Sequence, residues 1–103
     1  MIYIKLHKSY RALVAMCDAN LIGKKFEEKF SGGIKQLDLR ENFYKGEEVS
    51  EEEAIKLIRY QAKEDSTFNI VGKESIEAAH KAGLIDKKFV KTIQGVPYVL
   101  VLL

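Results

Sequence analysis

The C-terminal stretch VPYVLVLL, residues 96–103, is apolar at positions that face both sides of a β-sheet. Successive residues of a strand point to opposite faces, so a strand of this kind needs cover on both sides. We therefore expect it either in the middle of a sheet or paired with a second copy of the chain. Pro97 belongs at a strand's start or edge, because proline cannot donate to the hydrogen-bond ladder.

Most of the remaining chain predicts further short strands. MIYIKLH alternates apolar and polar residues, and RALVAMCD follows it after a turn. The two predict an antiparallel hairpin, with a short helix as the alternative for the second segment. IKQLDLR, STFNIVG and residues 90–93 are also strand candidates. NLIGKKFEEKF, residues 20–30, partly matches a helical period and predicts a helical turn. ENFYKGEE reads as a loop anchored by Phe43 and Tyr44.

Two segments predict helices. Ser50 precedes EEEAIKLIRYQAK, and Ser50 with Glu53 has the spacing of a capping box, in which hydroxyl and carboxylate each satisfy a free amide. KESIEAAHKAG predicts a second helix, which Gly83 ends. Together the elements predict one α+β domain (mixed α/β) over residues 1–103, with a single sheet and two to three helices packed against it.

Composition and charge set limits on function. The formal net charge is only +2, which permits RNA binding without arguing for it. Lys and Glu dominate the charge while Asn and Gln are sparse, which is typical of a thermophile or of a Lys/Glu-rich mesophile. The first residues are not typical of a signal peptide, so we expect none, and VLVLL is too short to span a bilayer. We expect a cytoplasmic protein without a membrane partner.

NIVGK at residues 69–73 repeats NLIGK at residues 20–24. One interpretation is a duplicated anion site, in which Gly23 and Gly72 let a phosphate approach amides at a helix start, beside Lys24 and Lys73. The sequence lacks a Walker loop, however, and glutamates follow both glycines. The simpler interpretation, which we prefer, is that each glycine only redirects the backbone.

The sequence offers few other sites for chemistry. No close-spaced pair joins His7, His80 and Cys17, so we expect neither a zinc site nor any cofactor. Cys17 reads as a buried small hydrophobe. His80 is expected to be half-buried on its helix and is the candidate base if the protein is an enzyme. The aspartates sit at element ends, where capping explains them.

The segments NLIGKKFEE, LDLRENFYKGEEVSEEEAIKLI, FNIVGKESIEAAHKAGLI and GVPYVLV resemble a family of small archaeal proteins, the domain of unknown function family numbered 424. The most telling parts are FYKGEEVSEEEA and NIVGKESIE. The resemblance runs over nearly the whole chain and implies an archaeal, intracellular, single-domain protein. It implies no activity and no catalytic residues.

Three functional hypotheses remain open. The preferred one is a non-enzymatic binding module, with RNA or a ribonucleoprotein as partner. The second is a small enzyme or phosphate-ligand binder that uses the Gly23 and Gly72 turns. The third is a module that self-assembles, as a homodimer, through the C-terminal strand. The candidate anion- or nucleic-acid-binding residues are Gly23, Lys24, Lys25, Gly72, Lys73, Lys87 and Lys88.

Overall fold

The computed structural model describes residues 1–8 and 10–103. Its strands are β1 (Ile2–His7), β2 (Leu13–Asp18), β3 (Lys25–Phe30), β4 (Gly33–Asp38), β5 (Glu47–Val49), β6 (Thr67–Val71), β7 (Lys91–Ile93) and β8 (Val96–Val101). Its α-helices are α1 (Glu41–Tyr44), α2 (Glu51–Lys63) and α3 (Lys73–Lys81). Two short 3-10 turns cover Ala19–Leu21 and Lys87–Phe89.

Six strands form one mixed sheet in the order β5-β1-β2-β6-β8-β7. β1 and β2 form the predicted antiparallel hairpin, and β2 runs parallel to β6. The remaining neighbours in this sheet are antiparallel. β3 and β4 make a small second sheet of two strands. The predicted α+β class, with helices packed on a mixed sheet, is confirmed.

The sheet has two differently covered faces. On the helix face, Met16, Phe68 and Ile70 pack against apolar residues of α2 and α3 such as Ile58 and Ile76. On the opposite face, which we call the hairpin face, residues of β2, β6 and β7 pack against the β3–β4 hairpin and α1. The buried residues of this second cluster are Ala15, Cys17, Leu37, Leu39, Tyr44, Val71 and Ile93.

The predicted helical turn over residues 20–30 is wrong for most of that segment. Only Ala19–Leu21 forms a 3-10 turn, and the chain then enters β3. Phe26 lies opposite Leu37 of β4 and packs into the hairpin-face core. Alternate residues from Phe26 onward share one face of the hairpin, so pairing with β4 overrides the partial helical period.

The segment ENFYKGEE is also more ordered than the predicted loop. It contains the single-turn helix α1 and the start of the edge strand β5. Its expected anchors behave as predicted, because Tyr44 is buried and Phe43 packs against the same core. The His7 ring stacks on Phe43 with centroids 4.6 Å apart, which ties α1 to β1.

Both long helices begin and end as the sequence predicts. The Ser50 hydroxyl accepts the amide of Glu53 at 3.2 Å, and the Glu53 carboxylate accepts the amide of Ser50 at 3.1 Å. The hydrogen bond from the Ser50 backbone amide, and secondarily an interaction with the Ser50 side chain, hold the pKa of the Glu53 carboxyl below its usual value. At the end of α3, the amides of Gly83 and Leu84 bond to His80 and Ala79, the pattern of a Schellman motif.

The C-terminal strand lies inside the sheet, as the first of the two expectations had it. β8 sits between β6 and β7, and Val99 and Val101 point to the helix-face core. Leu100 points to the other face and is 55% exposed. Pro97 pairs with Thr92 near the start of β8.

Replacing Ser50 tests the capping box. We expect Ser50→Ala to lower the free energy of unfolding by about 1 kcal/mol, because the amide of Glu53 loses the hydroxyl that accepts it, while the amide of residue 50 keeps the Glu53 carboxylate. The midpoint of thermal unfolding should fall by roughly 4–8 °C for a domain of this size. Ser31→Ala, in the exposed turn between β3 and β4, is the control and should change the free energy by less than about 0.5 kcal/mol. Equal effects of the two changes would contradict the capping role of Ser50.

Candidate functional site

The candidate site lies where the parallel strands β2 and β6 end and α3 begins. A hollow of about 400 Å³ opens there, and we call it the cap hollow. Ligands of α/β proteins commonly bind beyond the carboxyl ends of parallel strands. The residues that line the cap hollow are Asp18, Asn20, Leu21, Lys73, Glu74, Gln94, Gly95, Val96 and Pro97.

Asp18 joins β2 to α3 at the floor of the cap hollow. Its carboxylate accepts hydrogen bonds from the amide of Glu74 at 3.0 Å, the amide of Ser75 at 2.8 Å and the Ser75 hydroxyl at 2.8 Å. Asp18 and Ser75 are both buried. A carboxylate at the positive end of a helix dipole is favourable, and here it takes the free amides that a bound anion would otherwise use.

Gly72 permits this contact. Its φ of 106° is outside the range that side-chain-bearing residues adopt readily, and its amide donates to the carbonyl of Pro97 at 2.8 Å. A Cβ on Gly72 would overlap the carboxyl group of Asp18. The glycine therefore serves two needs at once, a backbone turn and room for the aspartate that caps the helix.

The repeated GK motif at Gly23 forms a turn that leads into a strand. Gly23 has a φ of 81°, its amide donates to the carbonyl of Leu39 at 2.7 Å, and the amide of Lys24 closes the turn onto Leu21. No atom lies within 4 Å of a Cβ built on Gly23. The two GK segments thus turn the chain in different ways, since a helix starts after Gly72 whereas a strand starts after Gly23.

The two GK loops nevertheless meet. Asn20 and Leu21 from the first loop and Lys73 and Glu74 from the second line the cap hollow together. The amides of both glycines point to carbonyls elsewhere in the fold, and neither glycine lines the hollow. The shared hollow therefore presents side chains, while the amides of Glu74 and Ser75 at the start of α3 are already bonded to Asp18.

The predicted lysines fall into two groups. Lys73 and Lys87 line a second, shallower hollow of about 320 Å³, together with Glu77 and Pro97, and we call it the lysine hollow. Lys87 bonds Glu77 at 2.7 Å, and this bond lowers the pKa of the Glu77 carboxyl. Lys73 has no ion-pair partner among the residues that the structure describes. It lines both hollows.

The other predicted lysines are also exposed, but they do not line the lysine hollow with Lys73 and Lys87. Lys24 and Lys25 sit at the start of the β3–β4 hairpin, and Lys25 lies 3.6 Å from Glu27. Lys88 lies 3.8 Å from Asp86, and its ammonium is 5.2 Å from the centre of the Phe89 ring. Since no described contact links Lys24 or Lys25 to Lys73, the role of these residues in anion binding stays a prediction.

Cys17 and His80, the candidate nucleophile and the candidate base, are poorly placed for catalysis. Cys17 is fully buried in β2, and burial raises the pKa of its thiol to about 12. His80 is exposed on α3, where half-burial was expected, and its Nδ1 lies 3.4 Å from the carbonyl oxygen of Ile85. Within residues 1–8 and 10–103, no three His, Cys, Asp or Glu side chains converge to hold a metal ion.

Sequence reasoning missed the partner of Asp18 although it anticipated a capping role. Asp18 caps α3, which begins 55 residues later in the chain, and no local spacing could reveal that. The available signal is an aspartate that ends an apolar strand, combined with a helix start that lacks its own capping side chain at Gly72.

Comparison with known proteins identifies the family. Residues 7–103 match the model of a family described as "Protein of unknown function (DUF424)". The chain belongs to the DUF424 family. This DUF424 chain is similar to the crystal structure of an uncharacterised conserved protein from the archaeon Methanopyrus kandleri, with a TM-score of 0.82 and 26% identity, over 97% of this chain and 89% of that one. A search of curated proteins found no match.

No helix in the described part of this DUF424 chain is both long and apolar enough to cross a membrane.

Matched glycine substitutions test the cap of α3 in this DUF424 domain. We expect Gly72→Ala to lower the free energy of unfolding by about 2–4 kcal/mol, because it adds backbone strain and pushes Asp18 off the helix amides. Gly23→Ala should cost about 1 kcal/mol, since it brings backbone strain without a collision. Chemical denaturation measures both. Equal losses would show that the Asp18 contact does not set the cost at Gly72.

The buried thiol predicts an alkaline loss of stability. Burial raises the pKa of the Cys17 thiol to about 12, whereas the pKa of a thiol in an unfolded chain is about 8.5. Burial likewise raises the pKa of Tyr44 to about 12. The unfolded chain therefore loses these protons first, so the stability is full below about pH 8.5 and falls as the pH rises toward 12.

Urea unfolding across this pH range measures the loss. Cys17→Ala should be less stable at neutral pH, because it leaves a small cavity, but its stability should fall less steeply above about pH 9 than that of the parent chain. Parallel curves for the two proteins would rule out the thiol as a source of the alkaline decline.

Proposed function

We propose that this chain is a non-enzymatic binding module of the cytoplasm, and that its exposed surface around Lys73 binds the phosphate backbone of RNA. The observation that carries the proposal is the position of Lys73. This lysine is exposed, lines both the cap hollow and the lysine hollow, and has no ion-pair partner among the described residues. A phosphate is a natural partner for such a cation.

Two further lysines near Lys73 would allow the protein to contact several phosphates of the RNA backbone. Lys87 shares the lysine hollow with Lys73, and its bond to Glu77 is at the surface, where solvent weakens it. Lys88 follows directly and lies over the exposed ring of Phe89, which is 65% accessible. Cations beside an exposed aromatic ring are the elements with which proteins hold single-stranded nucleic acid.

The way α3 is capped favours a polyanion over a small phosphate ligand. The Asp18 carboxylate takes the amides of Glu74 and Ser75, so a phosphate in the cap hollow would meet a carboxylate in place of backbone donors. Binding must then come from lysine side chains on the surface. Asn20 and Gln94 add exposed amide side chains that can bond the sugars or bases of a strand held there.

An enzymatic role finds less support. A general base must reach a bound substrate, and the exposed His80 does not line the cap hollow. Cys17 is buried with a pKa of about 12, so its thiolate is scarce at neutral pH. Both acidic groups in the hollow are engaged, since Asp18 caps the start of α3 and the Glu74 carboxylate accepts the Met1 amino group at 3.0 Å.

Fluorescence anisotropy with a labelled single-stranded RNA tests the proposal. We expect measurable binding at low salt, and the logarithm of the association constant should fall linearly with the logarithm of the salt concentration. The double change Lys73→Ala and Lys87→Ala should make that slope shallower by about 1.4, because each phosphate that a lysine neutralises contributes about 0.7 to it.

The control is Lys56→Ala with Lys63→Ala, which removes the same charge from α2. Lys56 and Lys63 are exposed and line neither hollow. This pair should leave the slope unchanged if the contact is local. Equal weakening by both double changes would mean unspecific attraction to net charge, and no binding even at low salt would refute RNA as the partner.

A further inference from the structure

The outer edge of β1 is only partly covered by β5. β5 pairs with Ile2, Tyr3 and Ile4, and its first residue Glu47 lies opposite Ile4. β1 continues to His7 beyond this point. A strand edge that lacks a neighbour exposes backbone donors and acceptors, which attract another extended chain.

The direction of the backbone groups along β1 follows from one bond. The carbonyl of Met1 accepts the amide of Ala19 at 3.0 Å, so Met1 directs its backbone groups toward the β2 side. Backbone groups alternate in direction along an antiparallel strand. The groups of Ile2, Ile4 and Leu6 therefore point outward. Ile2 and Ile4 meet β5, whereas the amide and carbonyl of Leu6 have no backbone partner among the described residues.

An apolar groove lies beside this free backbone. Its volume is about 220 Å³, and it runs between the outer strands and the second half of α2. Leu6 is 39% exposed and Leu57 is 37% exposed at its mouth. The residues that line it are Ile4, Leu6, Val14, Glu47, Leu57, Ile58 and Gln61.

We propose that this edge binds an extended peptide segment of a partner protein, which adds a short strand beside Leu6. Side chains of directly paired residues lie on the same face of a sheet, so the peptide residue opposite Leu6 points its side chain into the groove. That side chain is apolar, to match Leu57 and Ile58. A Lys or Arg nearby in the peptide pairs with Glu47, whose side chain lines the groove and is otherwise without an ion-pair partner among the described residues.

The short length of uncovered β1 edge favours a flexible peptide over a second copy of this chain. β5 occupies the edge up to Ile4, and β1 ends at His7, so only two or three residues of an added strand have backbone to pair with. A rigid strand edge from another folded copy would meet β5 first. The site is separate from the Lys73 surface, because Lys73 and Leu6 line different hollows.

Selection from a displayed library of random ten-residue peptides tests this site on the full chain. We expect enriched peptides to combine an apolar residue with a neighbouring Lys or Arg. Synthetic copies should bind at least about tenfold more weakly to Leu57→Lys than to the parent chain. The matched control, Leu100→Lys, changes an exposed leucine on the hairpin face and should leave peptide affinity unchanged.

Backbone pairing has its own readout. Peptide binding should slow hydrogen exchange at the Leu6 amide by about tenfold or more, and methylation of the peptide nitrogen that pairs with Leu6 should abolish the protection. This second measurement needs no substitution in the protein. Failure to enrich any peptide, peptides that ignore Leu57→Lys, or unchanged exchange at Leu6 would each overturn the proposal. So would mass measurements showing that a second copy fills the groove.

Discussion

The contact between Asp18 and the first turn of α3 organises the part of the fold where the candidate site lies. Asp18 ends β2 and accepts three hydrogen bonds from Glu74 and Ser75. It thereby fixes the start of α3 over the end of the parallel strand pair. A buried carboxylate would be costly without partners, and these three donors offset that cost. Gly72 is required because any side chain there would take the space of the carboxyl group.

The same contact decides how the surface can be used. The Asp18 carboxylate occupies the amides of Glu74 and Ser75, so a phosphate in the cap hollow cannot use these two donors. Lys73 stays at the surface, where it lines the lysine hollow together with Lys87. In the RNA-binding role that we propose, the contact is shallow and salt-sensitive, and recognition falls to side chains such as Asn20 and Gln94.

The sequence predicted the elements whose signals are local. The capping box at Ser50, the glycine that ends α3, the first hairpin and the interior position of β8 all follow from nearby residues. Residues 20–30 failed because their helical period is partial, and the deciding interaction is pairing between Phe26 and Leu37. The parallel pairing of β2 with β6 has no local signature, and neither has the reach of Asp18 to Ser75.

The site was predictable to the same extent. The glycine turns and the lysines could be named from the repeated motif, because the backbone freedom of glycine and the positive charge of lysine do not depend on the fold. Their arrangement could not be, since Lys73 and Lys87 meet through tertiary packing of α3 against the segment that follows it. The open edge of β1 was equally hidden, because it depends on where β5 begins to pair with β1.

The pairing of β2 with β6 has a consequence for how the chain is made. Leu13 of β2 lies opposite Thr67 of β6, and Asp18 bonds to Ser75, which is 57 residues later in the chain. During synthesis the amino-terminal hairpin therefore leaves the ribosome with one side unmatched. It stays incomplete until most of the polypeptide has emerged. Pairing between strands that are far apart in sequence slows folding. While β2 waits unpaired for β6, its exposed edge can mispair or bind chaperones.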